Sequence, residues 1–172
     1  MGVFFSSDHH FNHKNIIQFC NRPFKDVAEM NETMIANWNR VIQPTDTIYH
    51  LGDFGFGDIG KVLNRVNGKI HMVVGSHDKQ IWDHKSRFVE IGRIFEFEEF
   101  TMCHYAMRVW PRSHYNTCHL FGHSHGKLEG QGKSFDIGVD SWGFTPVSLD
   151  TVRKEMAKRP DNFNLVKTRD NK

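Results

Sequence analysis

The chain has 172 residues, of which 22 are Lys or Arg and 20 are Asp or Glu, so its formal net charge is +2 with histidine neutral. This near balance excludes a large, uniformly basic nucleic-acid surface and an acidic disordered segment. The length is typical of one domain that folds without disulfides, and a content of 38% apolar residues fits a soluble protein.

Short apolar runs that end in Gly, Asp or His predict three strands in the first half of the chain. They cover residues 3–5, 47–51 and 70–74, and each is rich in β-branched or aromatic residues. Apolar residues recur with the helical period over about 27–42, and a shorter helix is expected over 59–66. The alternation of strand and helix predicts parallel strands and an α/β fold.

The second half is predicted to contain strands at 93–97, 100–103, 118–121 and 135–137. Their close spacing favours antiparallel strands joined by short loops. No repeat, low-complexity tract or linker divides the sequence. We therefore expect a single domain over residues 1–160, followed by a polar and frayed tail over 161–172.

Cysteine usage and the first residues predict the compartment. Cys20, Cys103 and Cys118 are an odd number without a C-x-x-C spacing, which argues against a disulfide framework and a thiolate zinc finger. Residues 1–8 lack a basic region followed by a cleavable apolar stretch, and no apolar run approaches the length of a membrane span. A cytoplasmic protein with no membrane partner is expected.

Five polar clusters follow the predicted strands. They are Asp8-His9-His10, Gly52-Asp53, Gly75-Ser76-His77-Asp78, Cys103-His104 and Gly122-His123-Ser124-His125. The carboxyl ends of strands in α/β sheets converge on the ligand crevice, so these clusters are expected to meet in one site. A mixed nitrogen and oxygen donor set favours Mn, Fe, Zn or Ni. Each cluster alone is more often a turn than a ligand, whereas the set of five predicts a metal centre.

The order of these motifs resembles that of the calcineurin-like metallophosphoesterases, whose pattern is D-x-H, G-D, G-N-H-D or G-N-H-E, a lone His, and G-H-x-H. The resemblance covers residues 8–125. It implies a four-layer α/β/β/α sandwich with mixed sheets and a centre of two divalent ions, drawn from Mn, Fe, Zn or Ni. By this resemblance, Asp8, His10 and His125 would hold one ion, His104, His123 and position 76 would hold the other, and Asp53 would bridge both.

Position 76 departs from the family pattern, which has Asn there. Ser76 offers a shorter and weaker oxygen ligand than the side-chain carbonyl of Asn. We therefore expect a weakened second metal site and an impaired activity.

The resemblance implies a phosphoesterase, and we expect a phosphodiesterase that acts on small nucleotide-like or cyclic phosphate esters. The short chain leaves little room for a cap, which favours an open site. A metal-activated hydroxide would attack phosphorus, His77 would assist the leaving group, and Asp78 would orient the imidazole of His77. Contacts to the substrate are predicted from Arg108, Arg22, Asn12 and His13.

The alternatives are a phosphomonoesterase or phosphoprotein phosphatase, a nuclease, which the net charge does not indicate, and a non-enzymatic metal-binding scaffold. The sequence predicts no oligomeric state.

Overall fold

Two mixed β-sheets form the centre of the computed structural model, which describes residues 1–166. The strands are β1 (Val3–Ser6), β2 (Thr47–His50), β3 (Lys69–Val73), β4 (Phe88–Gly92), β5 (Ile94–Phe97), β6 (Phe100–Cys103), β7 (Cys118–Phe121), β8 (Ser134–Asp136) and β9 (Val147–Ser148). The α-helices are α1 (Ile16–Phe19), α2 (Val27–Val41), α3 (Gly60–Leu63) and α4 (Leu149–Ala157), and 3-10 helices lie at Lys79–Arg87, Ser113–Tyr115 and Val139–Ser141.

The first sheet has the strand order β4-β3-β2-β1-β9. Strands β1 to β4 pair in parallel, and β9 is antiparallel to β1. Parallel strands need a crossover connection, which α2 supplies between β1 and β2 and α3 supplies between β2 and β3. The α/β class predicted from the sequence is confirmed.

Helix α2 begins at Val27 because Asp26 caps it. The carboxylate of Asp26 accepts a hydrogen bond from the Glu29 amide at 2.8 Å, and the Glu29 carboxylate accepts one from the Lys25 amide at 2.7 Å. The apolar stripe predicted from the helical period is the buried face, formed by Met30, Met34, Ile35 and Trp38. This face covers one side of the first sheet.

The second sheet has the strand order β5-β6-β7-β8. The prediction that its strands are antiparallel was wrong for two of the three pairs. Only β5 and β6 are antiparallel, whereas β6 pairs with β7, and β7 with β8, in parallel. Residues 104–117 and 122–133 are long enough to return the chain to the starting end of the sheet. The sequence period shows that a segment is a strand but does not determine the direction of its neighbour.

Alternation along the first-sheet strands separates two cores. Ile48 and Met72 face α2, whereas their neighbours Tyr49 and Val73 face the second sheet, together with Phe5. The second sheet contributes Phe100, Met102, Leu120 and Phe135 to this inner core. The two sheets therefore pack face to face.

Helix α4 and strands β4 and β9 were not predicted from the sequence. Ser148 caps α4 by accepting a hydrogen bond from the Thr151 amide at 3.3 Å, and Val152 and Met156 bury its apolar side. Strand β9 has only two residues, and the apolar pattern of α4 is short. Neither element offers enough residues for its period to be recognised.

The segment 161–166 differs from the frayed tail expected from the sequence. Asn162 is 4% exposed, and its side-chain amide donates to the carbonyl oxygens of Ser113 and Thr117, both at 2.9 Å. The Val166 amide donates to the His114 carbonyl at 2.9 Å. The rest of the predicted tail, 167–172, lies outside the described residues. Within 1–166, no helix has the length and apolar character needed to cross a membrane.

Candidate metal centre

The five polar clusters lie directly after β1, β2, β3, β6 and β7. The loops after β1 and β2 are joined, because the amides of Asp8 and His10 donate to the carbonyl oxygens of Gly52 and Asp53, both at 3.0 Å. The loop after β7 joins them, because the His123 amide donates to Oδ2 of Asp8 at 2.9 Å. Segments far apart in sequence therefore meet at one place.

Left-handed backbone conformations are concentrated at this place. The φ angles are 58° at Asp8, 51° at His10, 54° at Asp53, 67° at His123 and 49° at His125. Such a conformation is uncommon for residues other than glycine and costs roughly 1–2 kcal/mol per residue. Strain of this kind persists where the surrounding structure enforces it, and it clusters at functional sites.

A close approach of two loops requires glycine at position 122. A Cβ atom added there would overlap the side chain of Ser7 and would lie 2.6 Å from Oδ2 of Asp8. The absence of a side chain at Gly122 therefore lets the loop after β7 close over the loop after β1.

The first donor set consists of Asp8, His10 and His125, whose ligand atoms lie within 4.8 Å of one another. Burial raises the pKa of Asp8 to about 7 and lowers the pKa of His10 to about 3. Nδ1 of His125 lies 2.8 Å from Oδ2 of Asp140, which leaves Nε2 for the site. Burial acts to lower the pKa of His125, but the hydrogen bond to Asp140 and the negative charges of Asp8 and Asp140 together outweigh it and raise that pKa.

The second donor set consists of Asp53, His104 and His123, again within 4.8 Å. Oδ2 of Asp53 lies 3.5 Å from Nε2 of His104 and 3.5 Å from Nε2 of His10. Nδ1 of His104 lies 2.8 Å from the carbonyl oxygen of Leu51, so its Nε2 faces the site. One oxygen of Asp53 is thus close to a histidine from each set.

Several buried atoms in these sets have no hydrogen-bond partner in the described part of the chain. They are Oδ1 of Asp8, both ring nitrogens of His10 and Nε2 of His104. Buried polar atoms are normally paired, because an unpaired one loses its hydration without compensation. Carboxylates and imidazoles are common ligands of divalent transition ions. The two donor sets therefore fit metal ions, as predicted.

Ser76 lies against Asp53, a member of the second donor set. Its hydroxyl donates to Oδ2 of Asp53 at 3.0 Å, and the neighbouring His77 amide donates to Oδ1 of Asp53 at 2.8 Å. Both contacts hold the carboxylate of Asp53 in place.

His77 lines the cavity at the site. The prediction that Asp78 orients the imidazole of His77 is corrected. The carboxylate of Asp78 accepts hydrogen bonds from the backbone amides of Asp53 and Gly75 at 2.7 Å and of Phe54 at 2.8 Å. It therefore holds the loops after β2 and β3 together, and these amides, rather than the imidazole of His77, are its hydrogen-bond partners. Burial raises the pKa of Asp78, although the three amides act to lower it.

Arg22 is corrected from a substrate contact to a structural contact. Its guanidinium pairs with both oxygens of Asp140 at 2.8 Å and donates to the carbonyl oxygens of His9 at 2.8 Å and Asp8 at 2.7 Å. The side chain is buried. Arg22 thus supports the first loop and the same carboxylate that contacts His125.

Of the other three predicted substrate contacts, only His13 lies at the cavity over the metal centre. Asn12 is corrected, because its amide group donates to the Phe56 carbonyl at 2.9 Å and accepts from the Asn31 side chain at 2.7 Å. Arg108 is also corrected, because it lies over the ring of Phe163 at 4.4 Å and lines a different cavity. His13 does line the cavity over the metal centre.

This cavity has a volume of about 510 Å³ and is lined by residues of both donor sets together with His13 and His77. The remaining wall includes three apolar side chains and one cation, from Ile16, Phe19, Phe56 and Lys127.

Sequence reasoning missed Asp140 as a partner of the site, and it missed the pair of His9 and His50. Nδ1 of His9 lies 2.9 Å from Nε2 of His50, and both rings are fully buried beneath the loop after β1. Asp140 follows the last strand of the second sheet, so it has the same strand-then-carboxylate pattern as Asp8 and Asp53. That pattern was the available signal.

Comparison with known proteins finds relatives whose names give no activity. No family model matches the chain. It is 30% identical over 83 residues to the gene 66 protein of Mycobacterium phage L5, a match that covers 44% of the chain and 39% of that protein. The solved structure of AQ665 from Aquifex aeolicus, a protein of unknown function, has a TM-score of 0.71 and 28% identity, covering 90% of this chain and 98% of that one.

The uncharacterized protein MJ1445 of Methanocaldococcus jannaschii is similar over almost the whole length. The two sequences are 34% identical over 170 residues, which is 91% of this chain and 92% of the relative. The chain therefore belongs to the same family as MJ1445.

Proposed function

We propose that the chain is a metal-dependent phosphoric ester hydrolase with a dinuclear centre, and that it acts as a phosphodiesterase on small nucleotide-like or cyclic phosphate esters. The observation that carries the proposal is the meeting of two carboxylate and imidazole donor sets at Oδ2 of Asp53. The order of motifs along the chain and the face-to-face packing of two mixed sheets support it. A four-layer α/β/β/α sandwich and a cytoplasmic location are part of this proposal.

When bound, two divalent ions would supply an activated water and would neutralise phosphoryl oxygens. The chain holds the donors for them in place before any substrate arrives. Arg22 and Asp140 brace the first set, and Asp78 braces the loop that carries Asp53. This preorganisation limits the cost of rearrangement during the reaction.

His77 and Lys127 line the cavity beside the donor sets. A ring nitrogen of His77 donates a proton to the leaving-group oxygen, which would otherwise depart as a costly alkoxide. The ammonium group of Lys127 offers positive charge to the phosphate as the substrate enters.

The proposal is tested with the purified chain loaded with Mn²⁺, Ni²⁺ or Zn²⁺. The substrates are bis-p-nitrophenyl phosphate, p-nitrophenyl phosphate and 2′,3′-cyclic nucleotides, and bound metal is counted by elemental analysis. We expect metal-dependent hydrolysis of the diesters, little hydrolysis of the monoester, and loss of activity in Asp53→Asn. Preference for the monoester would support a phosphatase instead, and hydrolysis of single-stranded DNA alone would support a nuclease.

A non-enzymatic metal-binding scaffold is the second candidate, and the contact of Ser76 with Asp53 favours it. The Ser76 hydroxyl donates to the Asp53 carboxylate, and with Ser at this position the second donor set has no amide oxygen from residue 76. One tightly bound ion, together with no hydrolysis of any substrate in the panel, would support the scaffold and contradict the enzyme.

A further inference from the structure

Phe19 is a large apolar side chain left exposed beside the candidate centre. It is 66% exposed and lies at the end of α1, where it lines the same cavity as His10 and His125. Its position is defined, because its amide donates to the Asn15 carbonyl at 3.0 Å and the adjacent Ile16 is buried in the core. Ligand cavities are lined mainly by apolar and aromatic side chains, so a ring in this position is available for contact with a ligand.

Phe56 separates Phe19 from the side of the cavity where His77 lies. The ring of Phe56 is 5.2 Å from that of His77 and 4.3 Å from that of His13, measured between ring centroids. Phe19 approaches the other end of this row, with its ring edge-on to His13 at 6.3 Å. His77 and Phe19 therefore lie at opposite ends of this row of rings.

A phosphodiester carries two ester groups, and only one of them leaves. With the leaving group beside His77, the end of the cavity that Phe19 forms is available to the other group. The phosphate charge between them would be complementary to cations held by the two donor sets and to Lys127, which lines the same cavity.

Resting on the proposed function, we propose that the site selects phosphodiesters whose retained ester group is planar and aromatic, such as an aryl group or a nucleobase, and that Phe19 is the residue that recognises it by stacking. Stacking on an exposed aromatic ring tolerates different rings, because each has a π-face. The selectivity is therefore for the class of ester group rather than for one base.

The test measures binding of two diesters without an activated leaving group, diphenyl phosphate and dimethyl phosphate, to the Mn²⁺-loaded chain by calorimetry. We expect diphenyl phosphate to bind about five to ten times more tightly. Phe19→Ala should remove this preference without changing the affinity for dimethyl phosphate or the metal content. Lys127→Ala should weaken both ligands equally.

Phe163→Ala is the matched control, because Phe163 is 64% exposed and lies under Arg108 outside this cavity. Equal binding of the two diesters, a preference that survives Phe19→Ala, or no binding of either diester would overturn the inference. Failure of the hydrolysis panel alongside an intact, Phe19-dependent preference would refute the proposed function and leave the aromatic subsite standing. Hydrolysis of the diesters without this binding preference would support the proposed function and refute the aromatic subsite.

Discussion

Nδ1 of His125 lies 2.8 Å from Oδ2 of Asp140, in a partly buried contact that leaves Nε2 of the imidazole for the first donor set. Asp140 is in turn held by the guanidinium of Arg22 at 2.8 Å. A carboxylate behind a metal-binding histidine fixes its tautomer and raises its basicity. The contact therefore links the loop after β7 to the first loop of the chain.

Asp140→Asn tests this link. We expect the affinity for Mn²⁺ to fall about 10- to 100-fold, because the neutral amide supports the imidazole less well. Metal titration measures the affinity, at a temperature where circular dichroism shows the variant folded. Asp150→Asn, an exposed change in α4, is the control. An affinity equal to that of the unchanged chain would show that Asp140 serves only the fold.

Ser76→Asn should raise occupancy of the second metal site and increase turnover. The longer side chain places an amide oxygen where the Ser76 hydroxyl now contacts Asp53, and such an oxygen is the better ligand. Ser76→Ala is the control, since it removes the hydroxyl and adds no ligand. Elemental analysis and turnover are measured together, and unchanged values for both would refute this prediction.

His77→Ala should lower turnover about 100- to 10,000-fold without changing the metal content, if His77 supplies the proton. The loss should be larger for a 2′,3′-cyclic nucleotide than for bis-p-nitrophenyl phosphate, because p-nitrophenolate leaves without protonation. His114→Ala is the control, because His114 is exposed and belongs neither to the five clusters nor to the lining of the cavity. Equal losses for both substrates would argue against a proton donor.

Asp78→Ala should destabilise the protein, because three buried or half-buried amides lose their acceptor. A buried donor without a partner costs about 1–3 kcal/mol, so a decrease of about 3 kcal/mol in the free energy of unfolding is expected. Denaturant unfolding measures it, and Asp78→Asn should recover part of the loss. A change below about 0.5 kcal/mol, which is typical of ordinary surface positions, would contradict the role assigned to this carboxylate.

Binding of Mn²⁺ should weaken as the solution is acidified through the pKa of Asp8. Burial raises that pKa to about 7, so without a cation the carboxyl group holds a proton below this pH and must release it to bind a metal. Affinity should therefore rise with pH and level off above about pH 8. Calorimetry in buffers of different ionisation enthalpy measures the released proton. A constant affinity between about pH 5.5 and 8 would be inconsistent with this view.

Strands β1, β2 and β3 of the first sheet and helix α2 were predictable, because local period and capping residues determine them. The polar clusters were also predictable, because their residue types can be read from the sequence whatever the fold is. The structure changed the roles of Asp78 and Arg22, both of which have chemistry suited to catalysis or phosphate binding. Their hydrogen-bond partners lie far along the chain, and no local pattern reveals them.

The sequence by itself determined which side chains follow the strands, and hence that carboxylates and imidazoles were available for one centre. Only the tertiary structure decided which of them meet, as in the contact of Arg22 with Asp140, 118 residues away in sequence. It also decided that β6, β7 and β8 run in parallel. The physical reason is that side-chain chemistry and period are local properties, whereas strand direction and ion pairing depend on long-range packing, which satisfies buried polar groups across the whole chain.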